Sequence, residues 1–456
     1  MFKPEKQPFF KTAWAAFLLA LVLRLAFAAG GLAHPEEKRF FRPDTPGYLA
    51  PSVSLLEDGE YRGPEGNFTA HRTPLFPLFL TCLRPFGDES RLFPLALILV
   101  GSLTVFPIYA ACRRFAPPGA SSLAAVLYAL NPTAISASPL LLSDTLFAFL
   151  AAMTLYFFVM FAQERRHDPF LFFCAVSCGA AGALVRPVNL LWIVPCAVAV
   201  FFVRGIRFRR KLLYAAVSVL LFGLVLFPWL ARNQAIGAGF RLDSSSAVTL
   251  IHNASALESS VTGEAADQIR QRYFEELERI YEADPERFAS EDERLTYCET
   301  RMMQIILAHP RQYILLSLRP AALAPDIPTL LENLGITQSG RGTLDVMNRQ
   351  GFTAAVRHYF EGNNVALAAS IPLILASLVL YLGALAGLIV RIFRRDWVTV
   401  FLFLGFGMYY LWIAGPVAMP RYQLPALPVF CVLAAAAFGA VSVKKAEAKR
   451  EEPSSV

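Results

Sequence analysis

The chain has 456 residues, 55% of them apolar and only 17% charged, with a mass of 50.4 kDa and a mean hydropathy of +0.46. Soluble domains carry roughly 45–50% apolar and about 25% charged residues, so a disordered chain and an ordinary cytosolic enzyme are excluded and a polytopic membrane protein remains. The +7 excess does not indicate nucleic acid, because the basic residues punctuate apolar runs instead of gathering on a soluble face.

The first apolar run, Thr12 to Leu32, follows Lys3, Lys6 and Lys11. Ala26-Phe27-Ala28 resembles a signal-peptide cleavage site, but Arg24 inside the run and its length of about twenty residues predict a retained helix. Arg24 is expected to pair with an acid or to bend to an interface. Further runs at about 91–112, 119–137, 139–162, 169–185, 187–204, 211–230, 366–393, 397–416 and 422–443 bring the expectation to ten spans, within a range of 10–12.

With the N-terminus inside, the inner connections become Arg113-Arg114, Arg165-Arg166, Arg204 to Lys211, Arg391 to Arg395 and the tail from Lys444. These are short and rich in Lys and Arg, as cytoplasmic loops are. The outer side receives two long segments of mixed charge, 33–90 and 231–365, and the second contains no lysine. Tyr313 to Leu331 is apolar but carries Arg319, Pro320, Pro325 and Asp326, and reads as interfacial or re-entrant.

Both outer segments predict helices. Leu49, Val53 and Leu56 share a face of a short helix suited to lie on the membrane. Ile269, Tyr273, Leu277 and Ile280 form a stripe from Glu264 to Glu282, and Ser290 with Glu293 makes a capping box for a helix running to His309-Pro310. The seven cysteines include no CxxC pair. Those in apolar segments suit packing, while Cys82 and Cys298 both lie outside and could pair with each other.

No P-loop, GxGxxG, HExxH or GxSxG is present. Polar residues instead gather at the outer ends of spans. Asp44 follows the first span in Arg42-Pro43-Asp44-Thr45-Pro46-Gly47-Tyr48, where Asp44 or Thr45 could simply cap a helix. Asp144 enters the fourth span, where it could equally start the helix or serve chemistry, since an ionisable group at that depth is costly. Arg72 lies where the chain returns to the membrane, Arg186-Pro187 separates the fifth and sixth spans, Arg232-Asn233 ends the seventh and Arg421-Tyr422 opens the tenth. Each alone could anchor a helix end. Together the four arginines run against the positive-inside trend and suit an anionic lipid phosphate, which guanidinium binds with two parallel hydrogen bonds.

The order of these landmarks resembles the GT-C glycosyltransferases, in particular the protein O-mannosyltransferases and the bacterial aminoarabinose transferases acting on lipid A. The early Asp44, then Tyr48 and Leu55-Leu56-Glu57-Asp58-Gly59-Glu60-Tyr61, match the start of that pattern. His71-Arg72-Thr73-Pro74-Leu75-Phe76-Pro77-Leu78-Phe79-Leu80 resembles the arginine-proline re-entry motif. Leu142-Ser143-Asp144-Thr145-Leu146-Phe147 resembles the acidic start of the fourth span, and Pro228-Trp229-Leu230-Ala231-Arg232-Asn233 and Arg421-Tyr422-Gln423-Leu424-Pro425 resemble later landmarks. Two departures stand out: Asp144 lacks the adjacent second acid common in the family, and the outer segment shows no recognisable acceptor module.

The resemblance implies an all-α polytopic membrane protein with a GT-C-like bundle, outer-face amphipathic helices and a small helical outer subdomain. The expected division is a catalytic membrane half, 1–230, containing the outer loop 33–90, an outer subdomain, 231–365, C-terminal spans, 366–443, and a charged tail, 444–456. The implied activity is inverting transfer of a sugar from a polyprenyl-phosphate carrier to a lipid A, glycolipid or protein acceptor, in a bacterial inner membrane with the site facing the periplasm. Asp44 would be the base and Asp144 would orient the substrate or hold an arginine. Arg72, His71, Arg421, Arg186, Arg232 and Tyr48 would bind the lipid phosphate. No cofactor is required and no residue is assigned to a metal, although a divalent ion is compatible with the chemistry. The alternative from another class is a transporter or flippase of a lipid-linked sugar, which would share the spans and arginines but usually shows repeated halves.

Overall fold

The computed structural model describes residues 9–163, 167–318, 323–334, 342–417 and 419–438. The Arg165-Arg166 connection, Arg319-Pro320 and the tail 444–456 lie outside them. Among the described residues the fold is all helical, apart from one isolated bridge between Arg62 and Phe68.

The chain opens with α1 (Phe9–Ala33), 25 residues and so about 37 Å long, enough to cross a hydrocarbon core of about 30 Å. The first outer segment follows, with α2 (Pro46–Glu57) and α3 (Leu75–Leu83). α2 buries Tyr48, Pro51, Ser52 and Ser54 against its neighbours, while Leu49 and Val53 are half-buried and Leu56 is exposed. Leu49 packs against the main core, so only the Leu56 end of the stripe faces outward.

Next come α4 (Glu89–Leu103), capped by Asp88, and α5 (Val105–Cys112), which together form one apolar rod. The run 119–137 is two helices, α6 (Pro118–Ala129) and α7 (Pro132–Ala137), and does not form a single span. The break has a local cause: Pro132 has no N–H to give, and the Asn131 side chain accepts from Ala134 N at 3.0 Å to begin a new helix. α8 (Asp144–Gln163) and α9 (Pro169–Val185) pack side by side. Arg186 then adopts extended backbone ahead of Pro187, as the residue before proline tends to, and a short turn leads into α10 (Ile193–Ala199) and the long α11 (Phe208–Ala235).

The outer helices α12 (Ser245–Thr262), α13 (Ala266–Ala283), α14 (Glu291–Ala308) and α15 (Pro310–Ser317) share their own hydrophobic cluster. Ile269, Tyr273 and Leu277 are buried in it and Ile280 is half-buried, and the Ser290–Glu293 capping box is present. Short helices α16 (Ile327–Asn333), α17 (Thr343–Gln350) and α18 (Phe352–Tyr359) lead to α19 (Asn364–Phe393). α20 (Trp397–Trp412), with a π-helical turn at Phe403–Met408, and α21 (Leu427–Phe438) complete the described fold.

Among the described residues five helices are long and apolar enough to span a bilayer: Lys11–Ala33, Glu89–Cys112, Asp144–Gln163, Phe208–Ala235 and Asn364–Phe393. The other apolar runs form shorter helices, joined by Leu75–Phe86, which lies in the first outer segment and was not expected as an apolar helix. Within Tyr313 to Leu331 the described helices are the end of α15 and the start of α16, and residues 319–322 between them lie outside the described residues.

Two expectations are corrected. Arg24 is fully buried and among the described residues pairs with no acid: it donates to the Ser138 hydroxyl and to the Ala20 and Ala129 carbonyls, with the Tyr128 ring 5.5 Å away. Cys82 and Cys298 form no disulfide; both are free, the first exposed and the second buried inside the outer cluster.

Candidate active site

Asp44 ends the loop that leads to α2, yet it does not cap that helix. The N-cap position belongs to Thr45, whose hydroxyl accepts from Arg42 N at 2.9 Å and donates to the Leu141 carbonyl at 3.1 Å. This leaves the Asp44 carboxylate free for arginines. Arg72 Nη2 donates to one of its oxygens at 2.8 Å, and Arg421 Nη2 stands 3.9 Å from the other.

From this pair a closed ring can be followed. The Arg72 guanidinium lies 5.0 Å from the centre of the Tyr48 ring. Tyr48 is buried, and its hydroxyl is 3.3 Å from Ser143 Oγ. Ser143 precedes Asp144, which is buried at the first residue of α8 and is held by the Arg186 guanidinium. Arg186 faces the Tyr422 ring at 5.4 Å and Arg421 faces the same ring at 5.8 Å, which returns the circuit to Asp44. Arg421 is also within electrostatic reach of Asp144 and Asp326.

Three guanidiniums face two carboxylates, so the ring keeps one positive charge in excess. Moreover, Nε of Arg72 and Nε of Arg421 are buried and have no hydrogen-bond partner among the described residues. An unmade hydrogen bond at a buried charged donor is costly, and a site with two of them is suited to an anionic oxygen ligand.

His71 neighbours this ring. Partial burial and the adjacent Arg72 guanidinium push its imidazole below its ordinary value, with Asp44 opposing, so it is a neutral group at pH 7. Arg232 is used differently. Its Nη1 donates to the Thr69 carbonyl at 2.6 Å and to Asn233 Oδ1 at 2.9 Å, its Nη2 donates to the Tyr61 carbonyl at 2.9 Å, and it stacks near Tyr61 and Trp229. These bonds fasten the first outer loop to the end of α11 and direct Arg232 to carbonyls, apart from the Asp44 ring.

The structure adds neighbours that the sequence did not single out for chemistry. Arg42 pairs with Glu332 at 3.1 Å and donates to Asn333 Oδ1 at 2.6 Å, while Gln423 donates to the Ala324 carbonyl at 2.9 Å. The segment 323–334 is thereby tied to both sides of the ring, bringing the buried Asp326 near Arg421 and Arg42. Asp243 is buried beside Arg72; burial pushes its carboxyl up to about 6, and the Ser245 hydroxyl opposes the rise. In the sequence Asp326 stands out only as an acid interrupting the apolar stretch Tyr313 to Leu331, and nothing local marks Asp243. Among the described residues no group of three His, Cys, Asp or Glu side chains is placed to hold a metal ion.

Residues 71–231 match the family of dolichyl-phosphate-mannose-protein mannosyltransferases, a segment that includes Arg72, Asp144 and Arg186. No curated protein sequence matches the chain. Among solved structures, the archaeal oligosaccharyltransferase AglB from Archaeoglobus fulgidus, in complex with an inhibitory peptide and a dolichol-phosphate, superposes with a TM-score of 0.52 at 16% identity. The match covers 97% of this chain and 52% of the archaeal one. The apo form of an Archaeoglobus fulgidus oligosaccharyltransferase gives a TM-score of 0.53 at 14% identity, with the same coverage. ArnT from Cupriavidus metallidurans, bound to undecaprenyl phosphate, matches at a TM-score of 0.42 and 15% identity over 95% of this chain and 78% of its own, too low to weigh on the fold.

The chain is therefore an integral membrane protein whose fold is that of the archaeal oligosaccharyltransferases. It spans about half the length of the archaeal chains it matches, 52% in each case.

Proposed function

We propose that this chain is an inverting glycosyltransferase that moves a sugar from a polyprenyl-phosphate carrier to a cell-envelope acceptor at the outer face of the membrane. The observation that carries the reading is the closed ring of Asp44, Arg72, Tyr48, Ser143, Asp144, Arg186, Tyr422 and Arg421, with two buried guanidinium Nε donors unused. The archaeal oligosaccharyltransferase of the same fold was solved with a dolichol-phosphate, which supports a lipid phosphate as the ligand of these donors.

In this reading the donor phosphodiester, with its single negative charge, binds Arg72 and Arg421 through those free N–H groups. The arginines then share the phosphate with Asp44, and one carboxylate oxygen becomes available to the acceptor. The acceptor hydroxyl oxygen attacks the anomeric carbon from the face opposite the phosphate. The bond from that carbon to the phosphate oxygen breaks, its electron pair leaves with the phosphate, and the hydroxyl proton passes to Asp44. The leaving phosphate gains a second negative charge, which the guanidiniums stabilise as it develops, so no metal or other cofactor is required. Asp144, fixed by Arg186, orients the reacting sugar or acceptor.

The acceptor class is lipid A, another glycolipid or a protein. Basic connections on alternate loops support a bacterial inner membrane with the ring on the periplasmic side. Asp44→Asn tests the reading, since it keeps the shape of the side chain and Thr45, not Asp44, occupies the N-cap. Purified protein should remain monodisperse and bind polyprenyl phosphate, while sugar transfer falls about 10²–10⁴-fold, the usual worth of a positioned base. Near-wild-type transfer by Asp44→Asn would reject the assignment. Movement of intact lipid-linked sugar across a vesicle membrane, with no bond cleaved, would favour the flippase.

A further inference from the structure

Arg24 is a cation in the middle of a membrane helix with no acid beside it. Its position is fully closed to solvent, and its counter-charges are backbone carbonyls. Nη1 donates to the carbonyl of Ala129, the last residue of α6, at 3.4 Å, and Nε donates to Oγ of Ser138, the C-cap of α7, at 2.9 Å. The free carbonyl of Ala129 at the C-terminus of α6 carries partial negative charge and the Ser138 hydroxyl passes the contact on to the Ala134 carbonyl of α7, while Arg24 Nη2 has no partner among the described residues.

The same point is where α1, α4, α7 and α8 come closest. A methyl group at Gly101 would lie 2.7 Å from Ser138 Oγ, 3.2 Å from Thr145 Cγ2 and 3.5 Å from Arg24 Nε. Thr145, next to Asp144, donates from its hydroxyl to the Ala137 carbonyl at 3.2 Å. Between Ser138 and Asp144 the chain is a turn of three leucines, and Leu141 in that turn is bonded twice to the first outer loop. Its N–H donates to the Phe40 carbonyl at 3.0 Å, and its carbonyl accepts from Thr45 Oγ1 at 3.1 Å. Asp44 adjoins Thr45. Both carboxylates of the ring thus hang from one turn, and that turn is fixed from below by Arg24.

We infer that Arg24 is a positioning residue for the transfer reaction, setting the 138–143 turn and through it the placement of Asp44 and Asp144. The inference rests on the proposed glycosyltransferase reading. It goes beyond that reading by assigning a role to a residue that touches neither donor nor acceptor. A lysine at 24 keeps the charge but offers one nitrogen, which cannot reach Ala129 and Ser138 in the planar geometry of a guanidinium. The turn should then relax by a fraction of an ångström, and misplacement of about 1 Å can cost about a hundredfold in rate.

The experiment compares Arg24→Lys, Gly101→Ala and the double variant in detergent-purified full-length protein, measuring transfer rate, donor KM and melting temperature. Gly101→Ala disturbs the same point from the opposite side without altering Arg24. Arg391→Lys, at a second buried arginine that pairs with Asp396 and the Phe115 carbonyl far along the chain, is the control for loss of a buried charge contact. Arg24→Lys and Gly101→Ala should each lower kcat about tenfold or more with donor KM within about threefold, and their effects should not multiply in the double variant. Arg391→Lys should lower the melting temperature and leave kcat unchanged. Wild-type kcat in Arg24→Lys, or an equal loss of kcat in the Arg391→Lys control, overturns the inference. Because Asp44→Asn is assayed in parallel, an inactive Asp44→Asn beside a fully active Arg24→Lys refutes the positioning role alone. An active Asp44→Asn refutes the reading on which it rests.

Discussion

Truncating Arg232 distinguishes a loop clamp from a phosphate ligand. Arg232→Ala removes the donors to the Thr69 and Tyr61 carbonyls, at 2.6 and 2.9 Å, and the cation stacked 4.8 Å from Trp229 and 5.2 Å from Tyr61. A hydrogen bond from a charged donor is worth about 1.5–3 kcal/mol and an exposed cation–π contact about 0.5–1 kcal/mol. Arg232 is only partly buried and water can replace some of what is lost, so a net destabilisation of about 2–4 kcal/mol is expected. At a few degrees per kcal/mol for a large chain, the melting temperature in detergent should fall by about 5–10 °C. Lysine, with one nitrogen, should recover less than half of that. Donor KM for the protein that remains folded should stay within about twofold, since no phosphate contact has been removed. An unchanged melting temperature together with a tenfold rise in donor KM would show that Arg232 reaches the lipid phosphate and that the clamp reasoning is wrong.

Arg72→Ala should raise donor KM at least tenfold, whereas Arg72→Lys should restore part of the charge but not the bidentate geometry; equal donor use by all three proteins would remove Arg72 from the phosphate site. Asp243, with its carboxyl pushed up to about 6 by burial, is penalised when it ionises. Its protonated form favours the fold, so this contribution is complete below about pH 4, is lost as pH rises to about 6, and amounts to about 3 kcal/mol. Thermal melts of wild type and Asp243→Asn should diverge across that window, and a constant difference between pH 4.5 and 7.5 would refute the assignment. For sidedness, a cysteine at Thr262 on the exposed end of α12 should react with an impermeant thiol reagent from outside, and one at Arg207 should not. Labelling of Arg207→Cys in sealed cells would invert the topology.

Features governed by local chemistry were legible in the chain. The Ser290–Glu293 capping box and the stripe on α13 depend on residues three or four apart, and the structure shows both. The helix count was less legible, because hydropathy over 119–137 averages across Asn131-Pro132, which ends one helix and begins another. In the ring, residue types and order pointed to Asp44, Arg72, Asp144, Arg186 and Arg421, but not to their partners. Nothing local to Asp44 says that Arg421 shares it, and nothing near Arg232 says that its donors are taken by carbonyls 163 and 171 residues away. Arg24 is expected from sequence to pair with an acid or bend to an interface because a single-residue view leaves out carbonyls and hydroxyls of distant helices. Cys82 and Cys298 shared an expected compartment, which fixes neither distance nor orientation.

The ring joins residues from widely separated parts of the chain. Asp44 follows the first span, Arg72, Asp144 and Arg186 lie within the family-matched segment, and Arg421 and Tyr422 come just before α21. Synthesis and insertion run from the N-terminus, so throughout most of biogenesis Asp44 has Arg72 as its only guanidinium neighbour, and Arg186 has no Tyr422 ring to face. The circuit closes only when the last described helix enters the bundle. A chain cut before Arg421 can therefore keep most of its helices and still leave the circuit open at Asp44 and at Arg186.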